Sequence, residues 1–168
     1  MLIFLIGFMG TGKTHWGKRW SARYGFDFID LDDAIELSEG KTIAAIFRTS
    51  GETYFREKEA TALRSMALLK NTIIACGGGT PCFHDNMDWM NDHGITIYLE
   101  TDPAVLTKRL TAEIQKRPLI KDVPVEKLQV YIEALLEDRI PYYQKAKHTF
   151  STEQLGNKSL DELLNRID

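Results

Sequence analysis

Residues Leu2 to Thr14 read LIFLI-GFMGTGKT, and this stretch decides the fold. Leu2–Ile6 is an apolar run without polar alternation, the pattern of a strand covered on both faces. The eight residues after it match GxxxxGK followed by Ser or Thr. An amphipathic stretch, Lys13–Arg23, follows directly and has helical spacing. Gly7, Gly10 and Gly12 allow positive φ angles, so successive N–H groups turn inward around an anion. The helix starting near Lys13 adds the positive end of its dipole. A chance glycine turn is the alternative, and the strand before it and helix after it count against that.

A cradle of this kind fits the phosphates of a nucleotide. The backbone of Gly10, Thr11 and Gly12 lines it, Lys13 reaches the β- and γ-phosphates, and the Thr14 hydroxyl binds Mg²⁺. The motif alone does not separate a kinase from a GTPase, an ATPase or a nucleotide-binding regulator.

Outward from this point the pattern repeats. Phe26–Ile29, Thr72–Cys76, Ile95–Leu99 and His148–Phe150 read as further short strands. Helical candidates lie between them: Asp33–Leu37, Thr42–Phe47, Gly51–Leu69, Asp85–Asp92, Pro103–Leu110, Val125–Tyr142 and Ser159–Arg166. Strand–helix alternation predicts right-handed crossovers and a parallel sheet, an α/β fold. In such sheets ligands collect beyond the carboxyl ends of the strands. Gly7–Thr14, Asp30 with Asp32, and Gly77–Gly79 all fall there.

The bulk properties agree. With 168 residues the chain suits one domain, residues 1–168. A net charge of −3 argues against a general nucleic-acid or membrane-surface binder. The apolar start, Met1 to Met9, has no charged leader and is too short to span a membrane. Cys76 and Cys82 would close only a tiny loop as a disulfide, so reduced thiols and a cytoplasmic location are expected. Cys76, Cys82 and His84 match no common zinc spacing.

The acceptor side is less generic. Asp30-Leu31-Asp32 ends the second strand, and residues two apart on an extended chain face the same way. Asp30 is assigned to the metal, through water, and Asp32 to the hydrogen bond from an attacking hydroxyl. Asp33, with Glu36 three residues on, reads as a helix capping box. Arg56 and Glu59 share a helix face, which usually means a surface ion pair. The neighbouring Phe47 and Phe55 favour instead an aromatic wall beside a carboxylate-binding Arg. Gly77-Gly78-Gly79 suggests backbone passing close to a ligand, with a flexible turn as the alternative. Arg139 continues a helical stripe of Leu128, Ile132 and Leu135, and Pro141 is expected to disturb the helix beyond it. Thr111 to Pro124 has two prolines, three cations and no regular period, as in a lid, although a solvated linker fits too.

Together, GFMGTGKT, DLD followed by AIE, GETYFREKE, GGGTP, RPL in the lid segment and RIPYY after it resemble the shikimate kinase family. The matching motifs run in order from Gly7 to Tyr143. The resemblance implies a three-layer α/β/α fold like that of nucleoside monophosphate kinases, with five parallel strands, a shikimate-binding region at about 31–62 and a mobile lid at about 111–124. It implies transfer of the γ-phosphate of ATP to shikimate, with Mg²⁺ as cofactor, by a monomeric enzyme.

Carried over by position, Lys13, Asp32 and Arg117 are catalytic, and Asp32 holds the acceptor hydroxyls. Arg56 and Arg139 hold the acceptor carboxylate, with Gly77, Gly78 and Gly79 beside it, and Glu59 orients Arg56. Arg117 closes over the phosphates, and Arg109 stacks on adenine. Thr14 replaces a commoner Ser, and Ile120 follows RPL where Leu is frequent. Two rivals remain at this stage: a kinase for another small metabolite, such as gluconate or a nucleotide, and a silent nucleotide-binding regulator.

Overall fold

The computed structural model describes residues 1–116, 119–157 and 159–165. Five parallel strands form one sheet: β1 (Leu2–Ile6), β2 (Asp27–Asp30), β3 (Thr72–Ala75), β4 (Ile95–Glu100) and β5 (His148–Ser151). Their order is β2-β3-β1-β4-β5. The chain therefore lays β3 on one side of β1 and β4 on the other. The loop after β1 emerges at the switch point of the sheet, where a crevice opens.

Alternation along β1 builds both outer layers. Leu2, Phe4 and Ile6 join one buried cluster with Leu31, Ile46, Leu63, Met90, Leu110 and Ile132. Ile3 and Leu5 join the other, with Trp20, Ile97, Leu99 and Leu160. Successive side chains of a strand point to opposite faces, so one apolar run serves two helical layers. The first cluster is built from α2 (Leu31–Glu39), α3 (Ile43–Ser65), α4 (Asn86–His93), α5 (Pro103–Thr111) and α6 (Leu128–Tyr143). The second uses α1 (Lys13–Tyr24) and α7 (Asp161–Leu164). Among the described residues, no helix is long and apolar enough to cross a membrane.

Three local expectations need correction. The cap of α2 is Asp30, not Asp33: its backbone is extended, and its carboxylate accepts from Asp32 N. Glu36 instead accepts from Ile43 N at 2.7 Å and ties α2 to α3. Pro141 does not end α6, which runs on to Tyr143, with Gln144 N still donating to Ile140 O at 2.9 Å. The buried stripe of α6 is Leu128, Ile132, Leu136, Arg139 and Tyr143, with Leu136 in the place expected for Leu135. Elsewhere the agreement extends to detail. The two helical segments expected on either side of Gly51 form one element broken at that glycine (φ 84, ψ 171). In the segment 111–124, Ile120 is fully buried, so its role is packing.

Candidate active site

The loop between β1 and α1 has the positive φ angles that its glycines allow, 141° at Gly7, 84° at Gly10 and 91° at Gly12. At Gly7 the demand is double, because a Cβ would also stand 2.7 Å from the Leu99 carbonyl oxygen. Thr11 Oγ1 donates to Phe8 O at 3.0 Å and pins the loop from within. Lys13 Nζ donates to Gly7 O and Phe8 O, each at 2.8 Å, and arches over the turn. Arg109, in the last turn of α5, donates to Gly10 O at 3.0 Å and borders the same cleft. That cleft, of about 1010 Å³, is lined by the loop together with Thr14, Asp30 and Asp32.

Asp30 links the loop to the next strand. Its Oδ2 accepts from the Thr14 hydroxyl at 2.7 Å while its Oδ1 accepts from Asp32 N at 3.1 Å. Asp32 does not share the extended backbone of Asp30, because β2 ends at Asp30 and Asp32 lies in the first turn of α2. Both carboxylates nevertheless border one cleft. Burial pushes the Asp32 carboxyl up to about 6, and the neighbouring Asp30 and Glu59 add to this against the opposing pull of Lys13 and Arg56. A carboxyl so placed is poised to exchange a proton near neutral pH.

A second cleft, of about 580 Å³, adjoins the first and shares Met9, Asp32, Gly77 and Gly78 with it. Its wall is aromatic, with Phe47 and Phe55 ring centroids 4.8 Å apart. Arg56 is buried here rather than on the surface. Its Nη1 donates to Glu59 Oε2 at 2.9 Å, and Glu59 itself is fully buried and accepts from Thr80 Oγ1 at 2.5 Å. The Arg56 guanidinium lies 5.0 Å from the Phe55 ring and 4.3 Å from the Phe83 ring.

The three glycines after β3 keep ordinary backbone angles; what they supply is space. A Cβ on Gly79 would stand 2.5 Å from Arg56 Nη2, and one on Gly78 would stand 3.1 Å from Arg139 Nη1. One on Gly77 would crowd Asp32 and Glu59 at 3.1 Å. Arg139 is buried, and among the described residues its Nη1 has no hydrogen-bond partner. A buried guanidinium N–H left unpartnered is costly, so this one marks the place for an anion. Tyr143, one turn on, donates to Gly78 O at 2.5 Å.

This arrangement, a phosphate cradle meeting an arginine-lined pocket, has close counterparts. A shikimate kinase family model matches residues 9–168. A shikimate kinase of Phocaeicola vulgatus is 43% identical over 99% of this chain and 98% of its own length. The crystal structure of shikimate kinase from Bacteroides thetaiotaomicron superposes with a TM-score of 0.92 at 39% identity, covering 98% of both chains. Shikimate kinase from Acinetobacter baumannii in complex with shikimate superposes with a TM-score of 0.85 at 32% identity, over 99% of this chain and 91% of that one.

The chain belongs to the shikimate kinase family.

Shikimate kinases are ATP-dependent phosphotransferases acting on shikimate, and they work with a divalent metal. The donor set at the cradle fits such an ion. A hydroxyl and a carboxylate, Thr14 and Asp30, are hydrogen-bonded beside the phosphate loop, and both are hard oxygen donors. Among the described residues no three His, Cys, Asp or Glu side chains converge on a common point.

Of the site residues expected from sequence, Arg117 lies outside the described residues. Phe47, Phe55, Arg56, Glu59, Gly77, Gly78, Gly79 and Arg139 all line the second cleft, and Lys13, Thr14, Asp30 and Arg109 line the first. Sequence reasoning missed Glu52, Thr80 and Tyr143, which hold Arg56, Glu59 and Gly78. Each lay within a quoted motif, Glu52 in GETYFREKE at four residues from Arg56, Thr80 in GGGTP and Tyr143 in RIPYY, but only the spacing of Glu52 pointed to its partner.

Proposed function

We propose that this protein transfers the γ-phosphoryl group of ATP to the 3-hydroxyl of shikimate, giving ADP and shikimate 3-phosphate on the route to chorismate and the aromatic amino acids. The observation that carries this reading is the junction of the two clefts at Asp32. A hydroxyl held there has its oxygen beside the phosphate cradle and its ring in the arginine-lined pocket. In the transfer the acceptor oxygen bonds to Pγ, the bond from Pγ to the bridging oxygen breaks, and that electron pair leaves with ADP. The acceptor proton passes to the Asp32 carboxylate late in the step.

Lys13 and the backbone N–H groups of Gly10, Thr11 and Gly12 hold the phosphates, and Arg109 packs against the adenine. Arg139, together with Arg56, takes the acceptor carboxylate. The cation proposed is Mg²⁺, which Thr14 would hold directly and Asp30 through water. When bound it neutralises charge building up on the phosphate oxygens. Residues 31–62 form the shikimate-binding region within a single domain, 1–168. The segment 111–124 serves as the lid that keeps water out, and Arg117 supplies positive charge to the transferred phosphoryl group. We further propose that the enzyme acts as a monomer in the cytoplasm.

The test is a coupled assay of ADP release with shikimate, with gluconate, and without acceptor. Release that depends on shikimate is expected. Release that is equal without acceptor, or that follows gluconate instead, overturns the reading.

A further inference from the structure

Arg56 has more partners than its position requires. Its inner edge is fixed by Glu59, which is itself fully buried and held by Thr80. Its faces lie against the rings of Phe55 and Phe83. Its outer edge is engaged as well: Nε and Nη2 donate to Glu52 Oε1 at 3.2 and 3.0 Å. The Glu52 side chain is 50% exposed, against 5% for that of Arg56. Glu52 also follows the break in α3 at Gly51, where the backbone leaves helical angles. Its carboxylate is thus the charged partner of Arg56 that can leave without disturbing packed atoms, since Glu59 is fully buried.

Resting on the reading that Arg56 and Arg139 bind the acceptor carboxylate, we propose that Glu52 is a resident stand-in for that carboxylate, which the acceptor displaces from Arg56 on binding. The charges in the pocket support it. Glu52 and Glu59 both pair with Arg56, and Asp32 also acts on it, so its charge is already offset while Glu52 stays in place, which opposes entry of another anion. Glu52 then acts as a selectivity filter. A small inorganic anion gains too little elsewhere in the pocket to offset displacing it, whereas a ring acid that also contacts the aromatic wall and Arg139 gains enough. Glu52 is a positioning residue that works through Arg56.

The test measures equilibrium binding of shikimate, and of benzoate and inorganic phosphate as probes, to the full-length protein and to Glu52→Gln, Glu52→Ala and Arg56→Ala, with a thermal melt of each. Because an exposed ion pair is weak, Glu52→Gln and Glu52→Ala are expected to tighten shikimate binding only about three- to tenfold. They should tighten benzoate and phosphate by at least as much, so that these anions become better inhibitors, and Glu52→Asp should restore the parent behaviour. Weaker shikimate binding in both Glu52 variants with unchanged anion affinity would mean that Glu52 merely braces the helix, and would overturn the proposal. If Arg56→Ala binds shikimate as tightly as the parent, the reading of the pocket fails as well. If Arg56→Ala abolishes binding while the Glu52 variants change nothing, the pocket stands and the stand-in role falls.

Discussion

The Arg56 guanidinium lies so close over Gly79 that a Cβ on that glycine would stand 2.5 Å from Nη2. Gly79 has helical angles (φ −91, ψ −13), so alanine strains no backbone there, and the whole conflict falls on Arg56. Gly79→Ala should therefore weaken shikimate binding by roughly tenfold or more, the worth of one charge-assisted hydrogen bond. ATP binding should be unchanged. Calorimetric titration of each ligand checks this, and an unaltered shikimate affinity would show that Arg56 has room to move.

Asp32→Asn removes the proposed proton acceptor and keeps the shape. Turnover should fall by about 10²–10⁴-fold with nucleotide affinity retained. In the parent enzyme kcat/KM should rise with slope one as pH approaches about 6 and level off above it, and the variant should lack that limb.

The same residue makes a stability prediction. Between its ordinary value of 3.8 and about 6, the native carboxyl holds a proton that the unfolded chain has released. On its account, stability falls as pH rises through that window and is flat above it. Asp32→Asn should therefore melt at the parent temperature near pH 4 and higher than the parent at pH 7. The gain should be about 1 kcal/mol, because partial exposure screens the charge. Equal melting points at both values would contradict a raised carboxyl.

Arg139 sets function against stability. With Nη1 unpartnered, Arg139→Met exchanges a buried polar cost for apolar packing, and the melting point should hold or rise by the equivalent of about 1 kcal/mol. Shikimate affinity should drop by roughly 10- to 100-fold. A variant that melts clearly lower yet binds shikimate as tightly as the parent would reverse the assignment.

Thr14 presents its hydroxyl to Asp30 at 2.7 Å. Thr14→Val should lose most turnover, and Thr14→Ser should keep it, since the methyl group takes no part. A Mg²⁺ titration of activity after chelation separates the two, with Val shifted to higher metal concentration. Identical titration curves would remove Thr14 from the metal site.

What the sequence settled by itself was the part of the molecule written in local, periodic terms. The apolar runs, the glycine cradle ahead of Lys13 and the strand-end positions of Asp30 and Gly77–Gly79 follow from backbone preferences acting over a few residues. The motif order from GFMGTGKT to RIPYY was legible for the same reason. Helix termini were less so: Asp33 has the composition of a cap, but the extended backbone of Asp30 makes Asp30 the cap. Only the tertiary structure determined which charges are buried and which of them lacks a partner. Arg56 and Arg139 look alike in sequence, yet one is held by Glu52 and Glu59 and the other has a bare Nη1 over Gly78. The pairs of Arg56 are neighbours along α3, but its burial and the bare Nη1 of Arg139 depend on side chains brought together at the sheet edge from α3, α6 and the turn after β3. No local preference encodes that geometry, because it arises from the packing of whole elements.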